Sequence, residues 1–147
     1  MDGEKYYGMI QCKDIGAEHI DALKAIFTDK DVRGQFSSAP LASGRFERFL
    51  FSSADKFLLM QNENIVGVAA LSRSGTRGFF GYALAPAFRG LGLAAECLGA
   101  IQLRARESGI QTLTTNIAAE NTPSVRAATR AGFRPFRLFE KNIILTQ

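Results

Sequence analysis

The chain has one histidine, two cysteines and four prolines in 147 residues. A lone histidine, His19, cannot build a multi-imidazole metal site, and the default expectation for it is an exposed side chain beside a helical stripe. Cys12 and Cys97 are far apart, with neither metal-ligand nor redox spacing, and read as two buried thiols of a cytoplasmic protein. No apolar run approaches the ~20 residues of a membrane-spanning helix. The start, MDGEKYYGM, lacks a signal-peptide pattern. Internal repeats, low-complexity tracts and linkers are also missing, so residues 1–147 are expected to form a single domain. A chain of this size buries about two-thirds of its unfolded surface and needs no staple.

Charge of one sign is scarce in the second half. Through Ser72 there are 8 basic and 10 acidic residues; from Arg73 onward there are 10 basic and 4 acidic. A basic half suits an anionic ligand. Nucleic acid competes for that role, but the basic residues are scattered, without the aromatic interleaving of a single-strand binder.

The stretch Phe79 to Gly109 organises the rest. Phe79 to Leu84 is an apolar run of strand length, ended by Pro86, which cannot donate to a ladder. Phe88-Arg89-Gly90-Leu91-Gly92-Leu93-Ala94 is a glycine-punctuated turn. From Leu93 onward Ala94, Cys97, Leu98, Ile101 and Ala105 recur at helical spacing, and Gly109 closes the helix. The first N–H groups of a helix lack partners, and the peptide dipoles add about half a positive charge there. Gly90 and Gly92 let the backbone approach an anion, and Arg89 adds charge. A turn whose glycines only relieve steric crowding is the competing reading. Gly90 to Ala95 also fits the dinucleotide pattern G-x-G-x-x-A, which needs an acidic residue at the end of the next strand. That run, Ile110 to Ile117, offers only Asn116, with no acid before Glu120, so the dinucleotide reading fails.

The other elements follow from periodicity and punctuation. Tyr7 to Lys13 alternates as a first strand, and Ile20, Leu23 and Phe27 mark a helix from Ala17 to Thr28. Asp29 to Ser43 reads as loop and Ser43 to Ser52 as a second helix. Asp55 to Gln61 and Ile65 to Leu71 read as a hairpin about Asn62-Glu63-Asn64, and Ser72 to Gly78 as a further turn. Thr112 to Ile117 reads as a strand. Thr122 is placed as N-cap and Pro123 as first residue of a helix running to Ala131 and stopped by Gly132. Phe133 to Phe139 and Asn142 to Thr146 form one bent strand or two. The order β-α-α-β-β-β-α-β-α-β(-β) implies an α+β fold: a mixed, mostly antiparallel sheet of six or seven strands with helices on both faces.

Arg89-x-x-Gly92-x-Ala94 resembles the acetyl-CoA loop of the GNAT superfamily of N-acetyltransferases. Asn121-x-x-Ser124-Val125, followed by Ala131-Gly132-Phe133, is similar to a second segment of that superfamily. Motifs and element order together cover most of residues 7 to 146. The resemblance implies that the strands at Phe79–Ala85 and Thr112–Ile117 run parallel and splay to admit the pantetheine arm. Backbone groups near Leu84, Ala85 and Asn116 would bond that arm. The diphosphate would rest on Arg89, Gly90, Leu91, Gly92, Leu93 and Ala94, with Asn121 and Ser124 near the arm. It implies acetyl-CoA as co-substrate, no metal, an amine acceptor attacking the thioester directly, and a backbone N–H near Leu84 polarising the carbonyl.

The chain departs from the pattern where proton transfer is concerned. Ala128 stands where the family often has tyrosine, and Phe79 to Leu84 carries no carboxylate. Tyr82 and Ser124 are the remaining catalytic candidates, with packing or substrate lining the competing reading of Tyr82. Glu47 could hold a cationic substrate, though a solvated face explains it as well. A non-catalytic acyl-CoA-binding module is the alternative function. The acceptor is not named by any motif; a homodimer is compatible with the sequence and not specified by it.

Overall fold

A computed structural model describes residues 9–28, 53–139 and 142–147. The start of the first expected strand, the loop from Asp29 to Ser43, the helix from Ser43 to Ser52 and Glu47 lie outside the described residues. The elements are β1 (Gln11–Asp14), α1 (Ile20–Thr28, entered through a 3-10 turn at Ala17–His19), β2 (Asp55–Gln61), β3 (Asn64–Ser74), β4 (Arg77–Leu84), α2 (Ala94–Glu107), β5 (Thr112–Ala118), α3 (Thr122–Arg130), β6 (Arg134–Phe139) and β7 (Asn142–Thr146). They form one seven-stranded sheet in the order β1-β2-β3-β4-β5-β7-β6. Only β4 and β5 pair in parallel; the other five pairings are antiparallel.

The sheet is apolar on both faces because β2 and β3 are nearly continuous hydrophobic runs. Phe57, Leu59, Leu71, Phe80 and Tyr82 pack with Leu98 and Ile101 of α2 and with Ala127 and Ala128 of α3. Leu58, Met60, Val68 and Ala83 point the other way, onto Leu23, Ile26 and Phe27 of α1. The helices therefore lie on both faces, as the element order implies.

Several boundaries move. The turn expected at Ser72–Gly78 shrinks to Gly75-Thr76, because Ser72, Arg73 and Ser74 pair with Phe79, Gly78 and Arg77. Gly75 takes the positive φ (62°) that such a tight reversal needs. Gly78 has little room for a side chain: a Cβ there would sit 3.0 Å from two side-chain carbons of Ile110. In the β2–β3 hairpin Gln61 pairs with Asn64, so Asn62 and Glu63 alone make the turn, Asn62 at φ 56°. The C-terminal segment resolves into two strands. β7 inserts between β5 and β6, burying Leu145 completely.

Three further expectations are corrected. Thr122 is the first helical residue of α3 and Asn121 its N-cap, because the Asn121 carbonyl already accepts the Val125 N–H at 3.1 Å. His19 is buried (9% exposed): its Nδ1 accepts the Gly16 N–H at 2.8 Å, folding the imidazole back over the start of α1. Cys97 is buried, but Cys12 is only half-buried, its thiol directed at the Ala100 carbonyl, 3.6 Å away.

Candidate functional site

The parallel junction is short. β4 and β5 pair from Arg77–Thr112 to Phe80–Thr115, and no pairing follows. Thr115 closes the junction from beneath: its buried hydroxyl donates to the Phe80 carbonyl at 3.0 Å. Beyond this rung β4 continues through Gly81, Tyr82, Ala83 and Leu84, and β5 through Asn116, Ile117 and Ala118, without pairing to each other.

The divergence has a local cause. In β3 the register slips, with Leu59 opposite Gly67 and Met60 opposite Ile65, so Val66 is an extra, bulged residue. A bulge bends the strand that carries it and sharpens its twist. The end of β4 follows β3 through the bend: the Ala85 N–H donates to the Val66 carbonyl at 2.7 Å, and Leu84 lies opposite Gly67. The Gly67 position is closed to any side chain, since a Cβ would lie 2.3 Å from the Ala83 carbonyl oxygen. β5 is held by β7 instead, with Asn116 opposite Ile144 and Ile117 opposite Ile143. Each strand is bound on its outer side, and the space between them opens.

Backbone groups alternate in direction along a strand. With Ala85 N–H committed to β3, the Tyr82 and Leu84 N–H and C=O groups are directed toward the side that β5 has left. Ala85, whose backbone groups were expected near the ligand arm, has its N–H committed to the Val66 carbonyl. The Leu84 carbonyl accepts from Arg89 Nε at 3.3 Å, so the Arg89 side chain turns back over the end of β4. Asn116 is exposed, one position past the last β4–β5 rung.

The glycine turn follows a 3-10 turn at Pro86–Phe88 and leads into α2. Gly90 and Gly92 adopt φ of 72° and 77°, and neither would bring a Cβ within 4 Å of another atom. Their glycines thus satisfy a left-handed backbone, and the surface above them is open. Gly90, Leu91 and Gly92 are exposed, whereas Leu93 is buried in the core and anchors the helix start. Leu93 makes no side-chain capping bond, and Cys97 is the first residue to donate back to it, at 2.9 Å. The N–H groups of Ala94, Ala95 and Glu96 therefore precede the helical ladder and point outward. Glu96, exposed in this first turn, is the one acidic side chain there.

α3 begins on the other side of the opening. Asn121 sits at its N-cap without a side-chain capping bond, and Ser124 lies in its first turn. Between α2, α3 and β4 stands Tyr82, 8% exposed, its buried hydroxyl beside Ser124. Burial pushes its pKa from 10.0 to about 12; Cys97 adds to the rise and Ser124 opposes it. The hydroxyl keeps its proton at neutral pH.

Tyr82, Ser124, Asn121, Leu84 and the Arg89–Ala94 turn are thus gathered at one end of the β4–β5 opening. The sequence reading missed Thr115, whose hydroxyl ends the parallel junction, and Gly67, which admits the end of β4. Thr115 stands at a core-facing position in the alternation of Thr112 to Ile117, and a polar residue there was the available signal. Gly67 carried none, because its constraint is a carbonyl 16 residues away in the chain. Two cavities of about 170 Å³ and 480 Å³ lie elsewhere, one beside Gln102, Arg106 and Gln147, the other beside Cys12, His19 and Glu63. Among the described residues no group of three or more His, Cys, Asp or Glu could hold a metal ion, and no helix is long and apolar enough to cross a membrane.

Residues 13–134 match a family model described as an acetyltransferase (GNAT) domain. No curated protein matches the chain by sequence. The fold is similar to that of a GNAT-family acetyltransferase from Bacillus anthracis (TM-score 0.78, 17% identity, covering 95% of this chain and 94% of that one). It is similar to the Campylobacter jejuni N-acetyltransferase PseH in complex with acetyl coenzyme A (0.72, 19%, 95% and 98%). It is also similar to spermidine N-acetyltransferase from Vibrio cholerae in complex with CoA and spermine (0.76, 13%, 94% and 93%). With the family model spanning most of its length, the chain belongs to the GNAT acetyltransferase family.

Proposed function

We propose that this chain is an acetyl-CoA-dependent N-acetyltransferase that moves an acetyl group to a primary amine of a small molecule or peptide by direct attack. The observation that carries this reading is the opening of β4 from β5 beyond Phe80 and Thr115, next to an uncapped helix start. The residues fit the co-substrate: an open left-handed glycine turn faces outward amides, and a strand edge beside it has lost its neighbour. Structural relatives held acetyl coenzyme A or CoA, which supports the same assignment.

In this reading the Gly90–Ala94 amides and the α2 dipole hold the diphosphate. The edge groups of Tyr82 and Leu84 bond the pantetheine arm as a surrogate strand. Asn121 holds the arm from the start of α3. The Leu84 N–H stabilises charge developing on the acetyl oxygen. Arg89 steadies the end of β4 and contributes positive potential. The acceptor must attack as a neutral amine.

Calorimetry with acetyl-CoA tests the assignment. Wild type should bind in the micromolar range. Gly92→Asp, which adds a carboxylate and a strained φ to the turn, and Arg89→Glu should each weaken binding by about tenfold or more. No binding by wild type at millimolar acetyl-CoA would overturn it. Ala128 and the carboxylate-free β4 favour a second reading, a non-catalytic acyl-CoA-binding module. Turnover of any member of an amine panel at enzyme-like rates would exclude that reading.

A further inference from the structure

The β4–β5 opening has two faces. Leu113, Thr115 and Ile117 are buried on the face that packs against α2 and α3. Alternation along β5 turns Thr112, Thr114 and Asn116 to the other face. In the acetyltransferase reading the co-substrate arm enters past the first turns of α2 and α3, so the amine must approach from that other face. α1 does not close the approach: it packs on Leu58, Met60, Val68 and Ala83, that is, on β2, β3 and the end of β4.

Register maps the surface the amine would cross. Phe79 lies opposite Thr114, Thr114 opposite Thr146, and Thr146 opposite Arg134. These four form one row across the sheet, and Asn116 and Ile144 stand opposite each other in the next row on the same face. Phe79 is 54% exposed, an uncovered aromatic ring at the rim of the opening. The Thr114 and Thr146 hydroxyls meet at 3.2 Å beside it. Asn116 and Arg134 are exposed, and so is Arg77, two residues before Phe79 on the same face. Strand spacing and rise per residue put the Asn116 and Arg134 backbones roughly 12 Å apart. With the length of the arginine side chain taken off, that gap has the size of a substituted sugar.

The charge here is one-sided. β4, β5, β6 and β7 contain three arginines, Arg77, Arg134 and Arg137, and no Asp or Glu. The stretch from Asp29 to Ser52 carries four basic and three acidic residues, so its composition does not reverse the sign. The acids that flank the opening along the chain are Glu96, in the first turn of α2, and Glu120, in the turn into α3; both segments lead to the co-substrate side. The four strands therefore offer no carboxylate to a polyamine. A guanidinium instead matches a phosphate through paired hydrogen bonds. An exposed aromatic face flanked by hydroxyls suits the apolar face of a sugar ring.

We propose that the surface formed by Phe79, Thr114, Asn116, Thr146 and Arg134 is the acceptor site and that it takes a phosphorylated amino sugar, an assignment that rests on the acetyltransferase reading above. The ring lies on Phe79, the amine reaches the opening at Asn116, and the phosphate meets Arg134. The neutral amine nitrogen bonds to the acetyl carbon as the carbon–sulfur bond breaks. The bonding pair leaves with sulfur, and the proton shed by nitrogen passes to water.

Calorimetry on the CoA-bound protein tests the assignment, with glucosamine 6-phosphate, glucosamine and spermidine as probes. Wild type should bind glucosamine 6-phosphate about tenfold more tightly than glucosamine, the increment of one guanidinium–phosphate contact. Spermidine should bind most weakly of the three. In turnover with acetyl-CoA the same order should appear in KM. Arg134→Gln should bring the two sugars within about twofold of each other, whereas Phe79→Ala should weaken both in parallel and keep their ratio. Preference for spermidine, equal binding of the two sugars by wild type, or an intact phosphate preference in Arg134→Gln would overturn the assignment. Failure of wild type to bind acetyl-CoA would instead overturn the acetyltransferase reading beneath it.

Discussion

Gly67 shows how much a single missing side chain does. It sits opposite Leu84, and the carbonyl of Ala83 occupies the place its Cβ would take, 2.3 Å away. The obstruction is backbone, so neither residue can rotate aside. Gly67→Ala must push β3 from β4 just where the Val66 bulge receives the Ala85 N–H. The expected cost is about 3 kcal/mol, at the upper end of overpacking effects, measured by urea denaturation. The variant should also lose acetyl-CoA affinity, because the end of β4 is displaced. Gly92, by contrast, faces open space, and an alanine there pays only for its φ of 77°. The two glycines look alike in the sequence; one answers to a conformation written locally, the other to a neighbour brought by the fold.

Among the elements, α2 bears on both the site and the frame. Its first turn offers amides to the opening, while its last turns are tied to the far edge of the sheet. Arg104 reaches Asp55 of β2 through Nε and Nη2 at 2.7 and 2.8 Å, and Asp14 of β1 at 3.2 Å. The guanidinium carbon lies 4.3 Å from the Phe57 ring centroid. Asp14 is almost fully exposed and contributes little; the Asp55 fork and the ring contact matter more. Arg104→Met, which keeps the apolar stem, should destabilise by about 1–2 kcal/mol, read as a shifted denaturation midpoint with an unchanged slope. Arg104→Lys should recover less than half, since an ammonium cannot reproduce the fork.

This scale was also the most legible from the residues. α2 was evident because Cys97, Leu98, Ile101 and Ala105 repeat at helical spacing and all four are buried. The glycine turn was evident because positive φ restricts residue choice. The β5-β7-β6 order was not, because pairing between Thr114 and Thr146 is a long-range choice that local alternation cannot encode. The start of α3 was misjudged by one residue because Asn121 and Thr122 are both competent caps. His19 was misjudged because burial of a lone imidazole depends on a turn at Gly16 that only the folded chain displays.

At the scale of the whole molecule, buried acids set an alkaline limit. Burial pushes the Cys97 thiol from 9.0 to about 12, with Glu96 and Cys12 adding to the rise. Burial raises Tyr82 from 10.0 to about 12 and Cys12 from 9.0 to about 11, the latter opposed by Arg104. In the unfolded chain these groups lose protons first, so the unfolded state binds fewer protons than the native state above pH 9. Stability should therefore be flat with respect to these groups below about pH 8 and fall as pH rises from 9 toward 12. Each group contributes at most about 1.4 kcal/mol per pH unit. Thermal midpoints measured from pH 7 to 10.5 should decline above 9, and Cys97→Ala should make that decline shallower.

The four-rung seam between β4 and β5 has a wider meaning for how the molecule is assembled. β2, β3 and β4 form a meander joined by short reversals, with β1 paired along its outer edge; β5, β7 and β6 form a second ribbon. The two ribbons share a single parallel border, and along half of β4 that border is left unsewn. On the proposed acetyl-CoA reading, an arm lying there would supply the missing stitches between the two ribbons. Binding there would add to the cohesion that the shared core beneath α2 and α3 already gives across that border.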